Sequence, residues 1–379
     1  KAELVVFDLT GRQHHQFRFD RKLRAALGHT PREVREFVQT GFGRLPAGCH
    51  LHFDERARQD VLAQIRRSIP SQWKEIAQLL REPAHAALTL DQFLHETDIA
   101  LGDIYATHRS WTLLRQAAGL DRRPIAADEL EALKNVHKLT HVGDNLRLDL
   151  WQRIVDGGAP RSEPERRLAN MLFAVLYGKH AAADGTSAAL WRQHRLLHTE
   201  LHALIPVLRR LNANLSPPHR LDLAVPLVLH ARYLGAELSA AFDDRATGGD
   251  FRDYYTGVEP VCNGRYDLLL VTLQKSAQTK DHLKYRDFPL SAHRFHWQSK
   301  AATTLQSREG KRHVAPDREG VTPLLLVRER NKDAGQTVAF RYLGPVKPVR
   351  CEGERPISVQ WQLAYAMPAE VLAEGRVAA

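Results

Sequence analysis

Cysteine is scarce in this chain. Cys49, Cys262 and Cys351 are scattered through 379 positions. They are too few, and odd in number, for a disulfide framework, which fits a reducing compartment. Long apolar runs are missing too. None approaches the ~18 residues that a membrane-spanning helix needs, so no membrane partner is expected and the chain reads as cytoplasmic. The opening Lys1-Ala-Glu-Leu-Val-Val-Phe-Asp has no signal-peptide pattern and reads as the interior of a longer chain. No G-x-x-x-x-G-K-S/T loop occurs, and no Asp-Glu-x-His box comes after a buried strand. Phosphate cradling needs the backbone N–H groups and Lys of such a loop, so ATP hydrolysis is not expected of this chain. No G-x-S-x-G elbow supports a serine hydrolase. No internal repeat or low-complexity tract is evident.

What is present is a basic, core-forming sequence. Hydrophobic residues make up 43%, enough for packed cores, and the length allows two or three domains. The formal net charge is +10. Residues 260–379 hold 19 Lys and Arg against 12 Asp and Glu, whereas residues 1–259 hold 35 against 32. A local basic excess is the footprint of a polyanion binder, though charge alone also describes an ordinary basic protein.

The pattern along the chain changes once. Leu4–Phe7 and His15–Phe19 read as a hairpin around Thr10-Gly11. Helical signals come next: Thr30-Pro31 with Glu33, Asp54 as an N-cap for a helix through Ile65, and Ser71 before a helix to about Leu80. Three short helical stretches around Leu90–Leu94, Ile99–Tyr105 and Arg109–Arg115 are compatible with a helix-turn-helix-like unit or with a plain bundle. Longer amphipathic helices are expected over Ala127–Leu139, Asn145–Val155, Glu163–Tyr177 and Ser187–Leu211. Pro217-Pro218 and the Gly/Asp-rich Asp243–Asp250 mark a boundary region. Beyond it the period becomes two. In Arg294-Phe-His-Trp-Gln-Ser, Phe295 and Trp297 oppose Arg294, His296 and Gln298. In Ile357-Ser-Val-Gln-Trp-Gln-Leu, the apolar residues oppose Ser358, Gln360 and Gln362. With Asp267–Leu273, Thr322–Arg330 and Val338–Gly344, these runs predict an α+β chain: a helical N-terminal region, then a β-barrel or pseudo-barrel. The expected divisions are 1–84 (hairpin and helices), 85–215 (helical domain), 216–258 (linker and short helix) and 259–379 (β-rich domain).

Asp267-Leu-Leu-Leu-Val-Thr-Leu-Gln-Lys-Ser, Tyr285-Arg-Asp-Phe-Pro-Leu-Ser, Phe295-His-Trp-Gln-Ser-Lys, Phe340-Arg-Tyr-Leu-Gly and Glu352-Gly-Glu-Arg-Pro-Ile-Ser-Val-Gln-Trp-Gln-Leu resemble the C-terminal domain of bacterial superfamily 2 (DEAD/DEAH-box) helicases, the domain of unknown function numbered 3427. Phe17–Asp20, Gly41–Asp54, Arg109–Gly119 and Leu229–Tyr233 resemble the segment C-terminal to the motor in those helicases. The resemblance implies a C-terminal accessory region of an ATP-dependent helicase, with motor domains supplied in cis or in trans. Many relatives also carry a phospholipase D-type nuclease, which implies DNA processing or phage defence. Neither the motor nor a paired His-x-Lys signature is present here.

Three readings of the chemistry remain open. For a DNA-binding module, duplex or single-stranded, the candidate contacts are Arg294, His296 and Gln298, with Lys275, Lys284, Arg286, Lys300, Arg308, Lys311 and Arg312 around them; Lys and Arg neutralise phosphate, and Arg and Gln read base edges. A pocket for a flipped or modified base would draw on Tyr266, Tyr285, Asp287 and Trp297. A metal-dependent nuclease would use Asp267 and Lys275, but Leu273 occupies the place of the second acid, so Asp287, Asp317 or Glu329 would have to come close. A protein-interaction platform would use the long helices to dock the motor or a partner. His194, His198 and His202, His137 and His141, and Cys49-His50-Leu51-His52 have zinc-like spacings but no completing ligand, and no metal or cofactor is implied.

Overall fold

The computed structural model describes residues 72–178, 186–212, 225–247, 249–274, 287–333 and 335–372. The expected N-terminal hairpin, the helices before residue 72, and Lys275, Lys284, Tyr285 and Arg286 lie outside the described residues. The chain divides into two compact units, one ending at Ala106 with Trp111–Arg123 added, the other Thr107–Ser110 with Pro124 onward.

The first unit is helical: α1 (Trp73–Arg81), α2 (Leu90–Thr97), α3 (Leu101–Ile104) and α4 (Trp111–Ala117). Thr89 opens α2 with a reciprocal capping box. Gln92 N donates to Thr89 Oγ1, and Thr89 N to Gln92 Oε1 at 3.0 Å. Leu90, Phe93 and Leu94 form the buried stripe of α2, and Phe93 meets Trp111 at 5.4 Å. Arg81 ties α1 to the end of α4 by donating to the Ala117 and Ala118 carbonyls.

The second unit begins with α5 (Ala127–Asn135), a 3-10 turn (Val136–Leu139), α6 (Asn145–Val155), α7 (Glu163–Tyr177), α8 (Thr186–Gln193) and α9 (Arg195–Leu211). Its hub is α7. Leu168–Leu176 is buried throughout, and the helix packs against α5, α6 and α10 (Gly235–Phe242). The single helix expected over Ser187–Leu211 is broken at His194, whose ψ of 73° is not helical. The cause is Glu129 on α5. Its buried carboxylate accepts from Leu196 N and Leu197 N at 2.7 and 3.1 Å, capping α9 from another element.

The sheet contains β1 (Arg232–Tyr233), β2 (Gly257–Val261), β3 (Tyr266–Thr272), β4 (Phe288–Ser291), β5 (Arg294–Gln298), β6 (Thr322–Arg328), β9 (Phe340–Glu352) and β10 (Ser358–Leu363). A two-stranded ribbon, β7 (Lys332–Asp333) with β8 (Gln336–Thr337), stands apart, and α11 (Arg308–Val314) lies between β5 and β6 in the chain. The strand order is β2-β3-β6-β9-β10-β5-β4, with β1 also on β9. The expected barrel is therefore not formed: the sheet is mixed, has eight strands among the described residues and stays open. The chain leaves β3 through β4, β5 and α11 before returning in β6 parallel to β3. A parallel pair covered on both faces reads as continuous apolar sequence, and such runs do not reveal their neighbours.

β9 links the two halves of the sheet. Its first part pairs with β6 and β1, and its second part with β10. Between the halves lies one core holding Leu269, Val271, Leu325, Val327, Phe295, Trp297, Val359 and Trp361. Alternation turns Tyr266, Leu268 and Leu270 the other way, and Tyr266 meets Phe242 of α10 there.

The helices join the sheet through Arg147, which is wholly buried. It donates to Asp144 (2.6 Å), Glu237 (2.7 Å) and the Arg232 carbonyl of β1 (2.7 Å), and lies over the Tyr233 ring. His141 closes the cluster on Glu237 at 2.7 Å.

Candidate nucleic-acid interface

β5 delivers its side chains as its period-two sequence requires: Phe295 and Trp297 are buried, while Arg294, His296 and Gln298 lie on the opposite face, each half-buried. The register extends that face. Arg294, His296 and Gln298 oppose Gln362, Gln360 and Ser358 of β10, and these oppose Lys347, Arg350 and Glu352 of β9. Directly opposed residues share a face, so one side of the sheet carries three cations and three glutamines in rows.

Lys347 and Arg350 are three residues apart, which in a regular strand puts side chains on opposite faces. A bulge corrects this. Trp361 pairs with Pro348 and Gln360 with Arg350, leaving Val349 unmatched. The extra residue returns Arg350 to the Lys347 side. Both cations are well exposed and meet only exposed acids, Asp317 at 3.5 Å from Lys347 and Glu352 beside Arg350. Such pairs contribute little and exchange readily for another anion. Phe288 of β4 opposes His296, and their rings stack at 4.8 Å and 17°. Gln298 donates from Nε2 to Ser358 Oγ at 3.2 Å, and its backbone N–H to Asp287 at 3.0 Å.

The other predicted residues go elsewhere. Lys300, Arg308 and Arg312 line a cleft of about 440 Å³ with Val258, Pro260, Asp267, Glu309 and His313. Arg312 bonds both oxygens of Asp267, with Nε at 3.0 Å, and donates to the Gly264 carbonyl at 2.8 Å. Glu309 meets Lys300 at 3.1 Å. The His313 ring, 3.8 Å away, and the Lys300 ammonium hold the Glu309 carboxyl down to about 2 against the opposing effect of burial. Lys311 is exposed on α11. Tyr266 and Trp297 are core residues: Trp297 packs on Trp361 and on the edge of His313. Neither they nor Asp287 line the cleft.

The four acids of the nuclease reading are engaged separately: Asp267 with Arg312, Asp287 with Gln298, Asp317 with Lys347, Glu329 with Arg330. Of the zinc-like residues, Cys49, His50 and His52 lie outside the described residues, and the other histidines have other partners. His194 bonds Tyr177, His198 the Trp191 carbonyl, His137 the Lys134 carbonyl and His141 Glu237. Sequence reasoning missed Lys347, Arg350, Phe288, Glu309 and His313. For the first two the local sequence points the wrong way, because Pro345 and Pro348 read as the end of the strand that begins at Val338.

Residues 256–374 match the family model of a domain of unknown function (DUF3427). No curated protein matches the chain. Among the described residues no helix is long and apolar enough to cross a membrane.

Proposed function

We propose that residues 256–374 are a non-catalytic nucleic-acid-binding module, the accessory part of a helicase-type DNA-processing or phage-defence protein. One observation carries this reading: Arg294, Lys347 and Arg350 share a sheet face with Gln298, Gln360 and Gln362. Cations on a pleated surface neutralise phosphates, and the amides between them can donate to or accept from base edges. The stacked Phe288–His296 pair adds a flat ring surface at the same place, the kind on which unpaired bases stack. A nuclease is disfavoured because the Asp267 carboxylate is spent on Arg312.

Fluorescence anisotropy with labelled single-stranded and duplex DNA, from low to physiological salt, tests the proposal. Affinity should fall linearly on a log–log salt plot. The Lys347→Gln, Arg350→Gln double variant should reduce the slope by about one for each lost phosphate contact. Salt-insensitive binding, or no binding at low ionic strength, overturns it.

A further inference from the structure

The registers of β4, β5, β10 and β9 align four side chains in one row: Phe288, His296, Gln360 and Arg350. Neighbouring strands lie about 4.8 Å apart, so the row runs ring, ring, amide, guanidinium across the sheet. The next row, about 7 Å along the strands, holds Arg294, Gln362 and Lys347. Arg294 has no hydrogen bond or ion pair among the described residues, and neither has the Gln360 side chain. Both are half-buried and keep their donors, and in Gln360 an acceptor, for a group outside the fold. The acids beside these rows, Asp317 at Lys347 and Glu352 at Arg350, are both exposed.

The breadth of the surface selects among nucleic acids. Four strands span about 14 Å from backbone to backbone, whereas the major groove of B-DNA is about 12 Å wide. A helix or a two-stranded ribbon enters that groove; a four-stranded surface is too broad for it. The ring pair makes the same choice. Phe288 and His296 stack at 4.8 Å and 17°, both partly exposed, and β4 is the last strand on that side among the described residues. Bases inside a duplex have both faces covered by their neighbours, whereas an unpaired base has a face to lay on an aromatic ring.

We infer that this face binds an unpaired nucleic-acid strand in preference to a duplex. One base stacks on the Phe288–His296 pair, the next nucleotide meets Gln360, and the phosphates lie on Arg294, Lys347 and Arg350. The preference for an unpaired strand rests on the reading of this face as a nucleic-acid surface.

The test is fluorescence anisotropy on the full chain with three labelled ligands: a short oligodeoxynucleotide, the duplex of the same length, and the same strand with abasic sites. The intact strand should bind at least about fivefold more tightly than either of the others, the effect of one base stack. Phe288→Leu, which keeps an apolar side chain on the edge strand, should weaken the intact strand by about fivefold or more and leave the other two unchanged. Phe288→Tyr, which keeps a ring, should retain the parent affinity. Arg294→Gln should lower the salt slope for the intact strand by about one. Duplex or abasic binding as tight as that of the intact strand overturns the preference. So does a loss in Phe288→Leu shared by all three ligands, or a salt slope unchanged in Arg294→Gln. If duplex binding then still depends on salt and on Lys347 and Arg350, the nucleic-acid reading stands without the preference. If no ligand binds at low ionic strength, both fall.

Discussion

At Arg147 one side chain joins α6, β1 and α10 with no access to water. Removing one member of a buried ion cluster leaves the others charged and unsolvated, typically at a cost of about 3–5 kcal/mol. Arg147→Met should therefore lower the unfolding free energy by about that much, read from urea midpoints with the slope unchanged. A drop below about 1 kcal/mol would mean that Asp144 and Glu237 find other partners. Glycine makes a second residue-scale prediction. A Cβ at Gly310 would lie 2.0 Å from the Thr304 carbonyl oxygen. Gly310→Ala must push α11 off that backbone, and α11 carries Arg308, Glu309, Arg312 and His313. It should destabilise the domain by about 1–3 kcal/mol and impair the cleft, with no direct effect on Lys347 or Arg350. Neither residue is conspicuous in the sequence. Arg147 sits in an amphipathic helix like any polar-face arginine, and its burial is decided by Glu237, 90 positions away.

Elements differ in how far local pattern determines them. The ends of α6 and α7 are set by Asp144 and Ser162, whose side chains accept from the third residue on, a signal carried within four residues. The break between α8 and α9 is not local, because its cause is Glu129, more than 60 residues earlier. Glu129→Ala should cost about 1–2 kcal/mol through two lost caps, and Glu129→Gln, which keeps one acceptor, should recover part of it. The facing of β5 is legible because alternation needs only five residues. The rows beside it are not, since register depends on which strands meet. The stretch after Gly344 reads as a break because it contains Pro345 and Pro348, yet the strand continues to Glu352. Its bulge can be tested directly. Val349→Ser, at an exposed position, should change stability by no more than about 0.5 kcal/mol. Deleting Val349 removes the extra residue and leaves Lys347 and Arg350 two apart, on one face of a regular strand. That variant should keep its salt-dependent DNA binding; loss of that binding in a variant that still unfolds cooperatively would mean that Arg350 does not work from the Lys347 face.

For the whole molecule, charge is the property that connects stability to binding. The excess in the last third is legible from composition, but its arrangement is not: α11 directs Arg308 and Arg312 to the cleft, while β9 directs Lys347 and Arg350 to the sheet face. The same ionised network makes the fold sensitive to acid. Attraction from His141 and Arg147 outweighs burial at Glu237 and holds its carboxyl at about 2, below the ordinary 4.5. A depressed carboxyl stabilises the fold fully above its unfolded value, and that stability is lost as pH falls through its folded value. Glu237 should thus contribute on the order of 3 kcal/mol at neutral pH, draining between about pH 4.5 and 2. Glu309 drains over the same window with a smaller effect, because its side chain is partly in water. Urea midpoints measured from pH 6 to pH 2 should fall most steeply below about 4.5, after a shallower decline above it as His137, His198 and His230, held neutral by burial, take up protons on unfolding. Glu237→Gln should start lower at pH 6, since Arg147 loses a charged partner, and then fall less steeply. An acid slope as steep in Glu237→Gln as in the parent chain would place the titrating group elsewhere.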